Sequence, residues 1–412
     1  MNKDDLANQL FFSKEASEYL GISTQRLNKL VQSGKITPLK KNSSGTLFHI
    51  DELKNRKEEL DIFNKVKKEG RNGMFAIDDK VKQEALNFAT LMNILKITEQ
   101  KLDPIFERFS QKVDVTAPMI DKEVIVEYSV FFNIPDLGKI KRIYAFSREK
   151  FSQLKPDDEI IKRGSLEYPP LLNATQQAPR FLYARGRIEL LQEQRTVALV
   201  GSRQASDKAK ENTERVAEAL GRNGITIVSG LAKGIDVTAH KSALKKNYNT
   251  IAVIGTNLNQ YYPKENKEVQ LEIEKKGLVV SQFSPATKTE RWFFPLRNGV
   301  MSGLSLATVI MEAGETSGAL KQADFAIKQG RQVLIPVKAL EMSTITWPKR
   351  YVEKGAQTVA TPKEIIQKLA ANHIFDKDIE EEEQLDVSCL KKLKEKEDSV
   401  YPVKTSMLIL NK

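Results

Sequence analysis

The sequence of 412 residues has one cysteine, three histidines and no long apolar run. A single cysteine, Cys389, excludes an internal disulfide framework and any cysteine-based zinc site. The histidines are scattered at His49, His240 and His373, so we expect no metal and no other cofactor. No stretch approaches the roughly 20 apolar residues that span a bilayer, and the first residues lack the apolar core of a signal peptide. These absences predict a cytoplasmic protein with no membrane partner.

Positive charge is present in excess. Lys and Arg number 65 against 54 for Asp and Glu, which gives a net charge of +11. A basic surface attracts polyanions, although a lysine-rich soluble surface gives the same total. Charge therefore becomes informative only where it coincides with backbone that can hold an anion.

The second half of the chain alternates short β-branched runs with helical patterns. The predicted strands are Thr196–Val200, Ile225–Val228, Thr250–Ile254, Leu306–Met311 and Gln332–Val337. The predicted helices are Lys208–Arg222, Val237–Lys246, Glu265–Lys275 and Ser317–Gln329. This alternation predicts an α/β fold with a doubly wound, mostly parallel sheet. Ligands of such sheets lie beyond the carboxyl ends of the strands.

Residues suited to anions follow these strands. Gly201-Ser202-Arg203 ends the first strand, and Gly230 and Gly234 frame the loop after the second, with Lys233 between them. Glycine lets the backbone approach a ligand, and arginine can bind phosphate with two hydrogen bonds. The start of the following helix adds N–H groups and positive potential.

Three further polar groups have two interpretations each. Asp236 is expected to cap a helix, and His240 lies four residues later on the same helical face. They could form an acid–base pair or a structural contact, and we favour the contact because no nucleophile or metal cluster accompanies them. Tyr261 and Tyr262 could offer a base a stacking surface or anchor a proline turn.

The order and spacing of these motifs resemble the DNA-processing protein A family (DprA/Smf). The shared motifs are VGSR from Val200, SGLAKGID from Ser229, YPKEN from Tyr262, FPLRN from Phe294, EAGETSGA from Glu312 and GRQVLIP from Gly330. A lead-in from Tyr168-Pro169 to Gly186 precedes them. The resemblance covers about Leu166 to Val359. It implies an extended Rossmann-like fold, a homodimer, no catalytic activity, and binding of single-stranded DNA that is passed to the recombinase RecA.

The resemblance also implies roles for residues in the crevice. Backbone phosphates would be held by Arg203, Lys233, Lys264, Arg297 and Asn298, and short donors would be Ser202, Ser229, Ser302 and Ser317. The implied nucleic-acid site is completed by Gly201, Gly230, Gly234 and Gly318.

The chain departs from the family pattern at several positions. The family's RNR reads Arg297-Asn298-Gly299, its SE reads Ser281-Gln282, and its closing PG reads Pro336-Val337. The usual C-terminal winged helix is not visible. These departures argue against the transfer of bound DNA to a RecA-type recombinase. Such a recombinase stays one of the possible partners.

The N-terminal segment, residues 1–57, resembles the winged helix-turn-helix modules of the MerR and excisionase type. Phe11 to Leu53 reads as two short helices, a hairpin with strands at Ile36–Leu39 and Thr46–Ile50, and a third helix, with Ser13 as the first cap. The resemblance implies contacts to duplex DNA from Thr24, Gln25, Arg26 and Lys29, and from Lys40 and Lys41 on the wing. The alternative is a module that has kept the fold but lost DNA binding, or that binds protein.

The remaining regions carry no motif. Residues 74–160 read as a middle α+β region, with amphipathic helices between Asp78 and Gln111 and strands at Glu123–Phe132 and Lys141–Phe146. The Rossmann-like domain then spans residues 161–373, with a last helix from Thr361-Pro362 to Ala371, and a charged tail spans 374–412.

The sequence therefore predicts a DNA-binding protein for DNA processing, recombination or uptake of DNA in natural transformation, and not an enzyme. One alternative is a nucleotide-sensing protein of a bacterial or phage-defence system. Related enzymes that cleave nucleotides carry a PGG-x-GT loop, where this chain has EAGETSG from Glu312, which argues against cleavage. A transcription regulator is a third alternative that depends on the N-terminal module alone.

Overall fold

The computed structural model describes residues 10–22, 24–32, 36–42, 45–54, 57 and 80–371. The chain divides into two compact units, Met1–Lys68 with Leu369–Lys412, and Glu69–Lys368. The predicted charged tail and Cys389 lie outside the described residues.

The N-terminal unit combines a small antiparallel sheet with helices. Its elements are β1 (Leu10–Phe12), α1 (Ser13–Leu20), α2 (Thr24–Gln32), β2 (Lys40–Asn42) and β3 (Gly45–His49), followed by a helical turn over residues 50–54. The sheet order is β1-β3-β2. Its core is formed by Ala16, Leu20, Leu27, Leu30, Ile36, Phe48 and Leu53.

The two predicted helices are present, and two details of this segment were wrong. The strand expected at Ile36–Leu39 is β2, four residues later, because it is Lys40–Asn42 that pairs with β3, from Asn42 opposite Gly45 to Lys40 opposite Leu47. Phe12, rather than Ser13, is the cap of α1, and its N–H donates to the Glu15 carboxylate at 2.9 Å. The winged helix-turn-helix assignment stays a prediction.

The larger unit contains a nine-stranded sheet in the order β12-β11-β10-β6-β7-β8-β9-β5-β4. The strands are β4 (Glu159–Lys162), β5 (Phe181–Gly186), β6 (Thr196–Gly201), β7 (Thr226–Ser229), β8 (Thr250–Val253), β9 (Leu278–Ser281), β10 (Ala307–Glu312), β11 (Gln332–Pro336) and β12 (Gln357–Val359). Strands β6 to β12 run parallel to one another. At one edge, β5 pairs antiparallel with β9, and β4 pairs antiparallel with β5. The predicted doubly wound, mostly parallel sheet is confirmed.

Helices cover both faces of this sheet. After the short α7 (Pro170–Asn173) the helices are α8 (Asp207–Arg222), α9 (Ile235–Lys245), α10 (Lys267–Lys276), α11 (Phe293–Gly303), α12 (Gly318–Lys328), α13 (Val337–Glu341), α14 (Trp347–Glu353) and α15 (Pro362–Ala371). Helices α9 and α10 contribute side chains to the core on one face of the sheet. Helices α11, α12 and α14 contribute to the core on the other face. Strand β5 contributes side chains to both cores. Phe181 and Tyr183 belong to the core with α9 and α10, and Leu182 and Ala184 belong to the core with α11, α12 and α14. Side chains of a strand alternate between faces, so burial on both sides explains its continuous apolar run.

The middle region is helical, and the two strands predicted there were wrong. Its helices are α3 (Lys80–Leu95), α4 (Glu99–Ser110), α5 (Val124–Phe131) and α6 (Leu137–Phe151). The β-branched run of α5 favours a strand by local propensity, but Ile125 and Tyr128 are buried while Val126 and Val130 are exposed. This is helical spacing, so tertiary packing decides the structure against local preference.

A buried ion-pair network joins the helical layer to the sheet. The Arg180 side chain is 3% exposed and bonds with the carboxylates of Glu84, Asp103 and Glu107. Lys162 adds an ion pair with Glu84 at 2.6 Å. Removing a member would leave a buried charge unpaired, so we expect this network to hold α3 and α4 in register with β4 and β5.

Glu99 gives the larger unit a pH dependence. Its carboxylate accepts the Arg180 backbone N–H at 2.5 Å, and burial raises its pKa from 4.5 to about 7. A raised pKa of a carboxyl group means that the folded state binds more protons than the unfolded chain, so its stability contribution falls as pH rises through this range.

We therefore expect Glu99→Gln, which keeps the acceptor oxygen, to become more stable than the wild type as pH rises from 4.5 to 7. The advantage should level off at no more than about 3 kcal/mol above pH 7. Urea unfolding of both proteins across this pH range measures it. A difference that does not vary with pH would contradict the assignment.

Candidate nucleic-acid interface

The candidate site lies where the winding direction of the sheet reverses. Strands β6 and β10 are neighbours, but the chain continues from β6 to β7 on one side and from β10 to β11 on the other. The loops after β6 and β10 therefore separate, and a cleft of about 550 Å³ opens between them. Such reversal points are the ligand positions of open α/β sheets.

The loop after β6 is held in shape by the end of β10. The Ser202 N–H donates to the Glu312 carbonyl at 2.7 Å, and the Glu312 carboxylate accepts the N–H of Ser206 at 3.0 Å and its hydroxyl at 2.6 Å. The Ser202 hydroxyl accepts the Gln204 N–H at 3.1 Å, which leaves its proton able to donate to a ligand. The wall that carries Arg203 is therefore preformed.

Gly201 and Gly234 pack this loop closely against α9. A Cβ at Gly201 would overlap the Ile235 side chain, and one at Gly234 would overlap the Ser202 carbonyl oxygen. The Ile235 N–H donates to that same carbonyl at 3.3 Å. The Ser202 carbonyl thus accepts one N–H at the α9 N-terminus, and the two glycines allow the Arg203 loop to pack against α9.

Gly234→Ala is expected to disrupt the cleft. Gly234 has φ of +74°, which penalises an L side chain by about 1–2 kcal/mol before the overlap is counted. We expect a loss of at least about 2 kcal/mol in unfolding free energy and weaker binding of single strands. The matched control is Gly318→Ala at the other wall, where a Cβ meets nothing within 4 Å. Equal tolerance of both changes would contradict this role for Gly234.

Arg297 and Asn298 form the floor of the cleft. Arg297 is 5% exposed, and its guanidinium donates to the carbonyls of Gly230 and Val253 and to the Asn298 side-chain oxygen. Burial lowers the pKa of Arg297 to about 10, so it stays charged at neutral pH. Arg297 therefore braces two loops and supplies positive potential from below, while much of its hydrogen-bonding capacity is used within the protein.

The accessible groups lie on the two walls. Arg203 is exposed on one wall, and Lys321 is exposed on the other, one turn into α12. Between them the cleft is lined by Ser317 and Gly318, where α12 begins, and the Ser317 hydroxyl caps the helix by accepting the Ala319 N–H at 3.3 Å. Within the described ranges neither cation forms an ion pair, so both can bind an anion. Cationic side chains and a helix N-terminus together favour phosphate.

Lys321 and Phe294 were not among the predicted contacts. Lys321 lies four residues after Ser317, so helical periodicity places both on the same side of α12. Phe294 lines the cleft, and the Arg203 guanidinium lies 5.9 Å from its ring centre. Its position in the FFP run gave no local signal for this contact.

Two predicted hydroxyl donors are buried, which argues against their direct contact with a strand. Ser229 is fully buried, and its hydroxyl donates to the Leu199 carbonyl at 2.6 Å. Ser302 is also fully buried, in α11 behind the floor. Both belong to the protein interior.

Lys233 and Lys264 are exposed but lie outside the residues that line the cleft. Lys233 forms an ion pair with Glu265, and this contact lowers the pKa of Glu265. Lys264 lies in the short 3-10 turn Lys264–Asn266. A strand that leaves the cleft could meet them, but the cleft itself does not need them.

Asp236 and His240 have separate partners. The Asp236 carboxylate accepts the Ala232 N–H at 3.4 Å, and burial raises its pKa. It is the second residue of α9 rather than the cap, which is Gly234. His240 Nδ1 bonds with the Thr250 hydroxyl at 2.7 Å, and burial lowers its pKa to about 3. The expected Asp236–His240 contact is therefore replaced by two structural contacts, and the acid–base pair finds no support.

The predicted contacts of the N-terminal module are described only in part. Thr24 begins α2, with its hydroxyl 3.3 Å from that of Ser17, and Lys40 is exposed on β2. The side chains of Gln25, Arg26, Lys29 and Lys41 lie outside the described residues. Their DNA contacts stay a prediction.

The described ranges contain neither a metal cluster nor a membrane-spanning helix. No group of three or more histidine, cysteine or acidic residues there could hold a metal ion. No helix there is long and apolar enough to cross a membrane.

Comparison with known proteins agrees with this fold. The chain is 37% identical over 200 residues to the DNA processing protein DprA of Streptococcus pneumoniae, covering 48% of this chain and 70% of that protein. It is 35% identical over 226 residues to the protein Smf of Synechocystis, covering 54% of this chain and 55% of the relative, so the match spans little more than half the length of that protein. The X-ray structure of DprA from Streptococcus pneumoniae aligns with a TM-score of 0.55 at 28% identity and covers 70% of this chain and 95% of that one.

The name of the Streptococcus pneumoniae relative describes DNA processing. The sequence model of the family described as DNA recombination-mediator protein A matches residues 159–370, which span β4 to α15 and include the whole cleft. The chain belongs to the DNA recombination-mediator protein A family, a family of DNA-processing proteins.

Proposed function

We propose that this protein binds single-stranded DNA in the cleft between the loops after β6 and β10, as part of DNA processing in recombination or uptake. The observation that carries the proposal is the pair of free cations, Arg203 and Lys321, on opposite walls of a cleft whose floor holds the charge of Arg297. The N-terminal turn of α12 lies between them. Phosphates of a strand would bind these groups without any reading of base sequence.

The size of the cleft supports a single strand over a duplex. A volume of about 550 Å³ lies in the range of pockets that hold small molecules. It can admit one nucleotide of a strand, but a base pair with its two backbones is far larger. We propose that any contact with duplex DNA is made by the N-terminal module, through the predicted residues of α2 and β2.

The remaining assignments follow from the family. We propose that the protein acts as a homodimer, as the resemblance implies. Loading of a RecA-type recombinase is not included, since the residues that would carry it are not identified in this chain.

Binding over a salt series tests the proposal against a nucleotide sensor. We expect an oligothymidylate to bind with an affinity that falls steeply with salt, because each phosphate contact on a single strand contributes about −0.7 to the log–log slope. The same measurement is made with a duplex of equal length and with a mononucleotide. Saturable, salt-insensitive binding of the mononucleotide alone would favour the sensor and contradict this proposal.

A further inference from the structure

One tyrosine beside the cleft presents half of its surface to solvent. Tyr262 is 50% exposed, and its ring centre lies 4.9 Å from that of Phe294, with the ring planes at 44°. Phe294 in turn lines the cleft under the Arg203 guanidinium. We name the pair Tyr262 and Phe294 the aromatic step. The aromatic step connects the proposed phosphate-binding cation, Arg203, with the exposed ring of Tyr262.

The step is held in place by the backbone beneath it. Phe294 packs so closely on Gly255 that a Cβ there would lie 2.6 Å from its ring. The turn that carries Tyr262 is anchored by Asn266, whose side-chain NH₂ donates to the Leu231 carbonyl at 2.9 Å. A ring held in this way loses little conformational entropy when a flat ligand stacks on it.

The neighbouring tyrosine is arranged differently. Tyr261 is partly buried, and the Lys267 ammonium lies 5.4 Å from its ring centre. Of the two tyrosines, Tyr262 therefore has the more exposed ring. Lys264, two residues after Tyr262, is exposed.

We propose that Tyr262 is a stacking platform for an unpaired base of the strand whose phosphate binds Arg203, so that the site selects unpaired nucleotides through their bases as well as their backbone. The inference rests on the proposed function and deepens it. The occupant is a base because the half-exposed Tyr262 ring packs on Phe294, whose ring lies beside the Arg203 guanidinium. An open aromatic ring close to a cation suits the flat base and anionic phosphate of a strand. Bases within a duplex are stacked on one another and cannot reach the ring.

The test compares an oligothymidylate with an abasic oligomer of the same length and charge. We expect Tyr262→Leu to weaken binding of the oligothymidylate on the order of ten-fold, as typical for loss of one stacked base, and to leave binding of the abasic oligomer unchanged. Tyr262→Phe keeps the ring and should bind as the wild type. Phe146→Leu removes an aromatic ring that is 45% exposed on α6 and serves as the matched control.

The outcomes separate this inference from the proposed function. If Tyr262→Leu binds the oligothymidylate like the wild type, or loses both ligands equally, the stacking platform is wrong while the cleft assignment stands. If the wild type binds neither ligand in a salt-dependent manner, the proposed function fails as well. Circular dichroism and thermal unfolding of each variant show that the fold is kept.

Discussion

Replacing Arg203 and Lys321 together by glutamine is expected to lower the affinity for single-stranded DNA about a hundred-fold. Hydrogen bonds to charged groups contribute about 1.5–3 kcal/mol each, and the exposure of both side chains places them at the lower end of that range. The log–log salt slope should become shallower by about 1.4, which corresponds to two lost phosphate contacts. Fluorescence anisotropy with labelled oligomers of several sequences measures both quantities.

The loss should be the same for all strand sequences, because phosphate contacts carry no sequence information. The matched control is the double change Arg215→Gln and Lys276→Gln, which removes two exposed charges that pair with acidic residues on α8 and α10. If the cleft variant binds like this control, the cleft is not where the strand binds.

Arg180→Met is expected to have the largest effect on stability, a loss of about 3 kcal/mol, because Glu84 and Asp103 lose their most deeply buried partner and keep the partly exposed Lys162 and Arg163. The Arg180 guanidinium bonds with Glu84, Asp103 and Glu107 and also lies 5.0 Å from the ring centre of Phe106. Methionine keeps part of the apolar volume, so the loss reports the charge more than the packing. Urea unfolding followed by circular dichroism measures it.

The control for this change is Arg187→Met. Arg187 forms an exposed ion pair with Glu189, and such pairs contribute about 0–1 kcal/mol. A similar small loss in Arg180→Met would show that the helical layer does not depend on the buried network. If Arg180→Met greatly lowers the unfolding free energy of the helical layer but leaves the urea midpoint of the sheet unchanged, the helical layer unfolds separately from the sheet.

The sheet could be predicted from the sequence because its signal is local. The runs from Thr196 and Thr250 are β-branched, buried on both faces and bounded by glycine or polar residues, so the strand follows from composition alone. The same signal failed for α5, where a β-branched run folds as a helix because Ile125 and Tyr128 find a core at helical spacing. Local propensity and core geometry agree in the first case and disagree in the second.

The loops of the candidate site could be predicted from the sequence. The orientation and burial of their individual side chains were harder to predict. Arg203 and Ser317 follow strands and stand at the reversal point, which the order of elements determines. The orientation of Ser229 depends on a carbonyl of the neighbouring strand, at Leu199, and no local pattern encodes it. The buried position of Arg297 likewise depends on carbonyls from two other loops, at Gly230 and Val253.

The contact between Glu312 and Ser206 joins residues that are 106 positions apart in the chain. During synthesis the loop that carries Arg203 leaves the ribosome long before Glu312 exists, so its final shape must wait for β10 to be translated and paired with β6. An incomplete nascent chain therefore holds only one wall of the cleft. The proposed DNA-binding cleft is therefore completed late in translation, together with the closing half of the sheet.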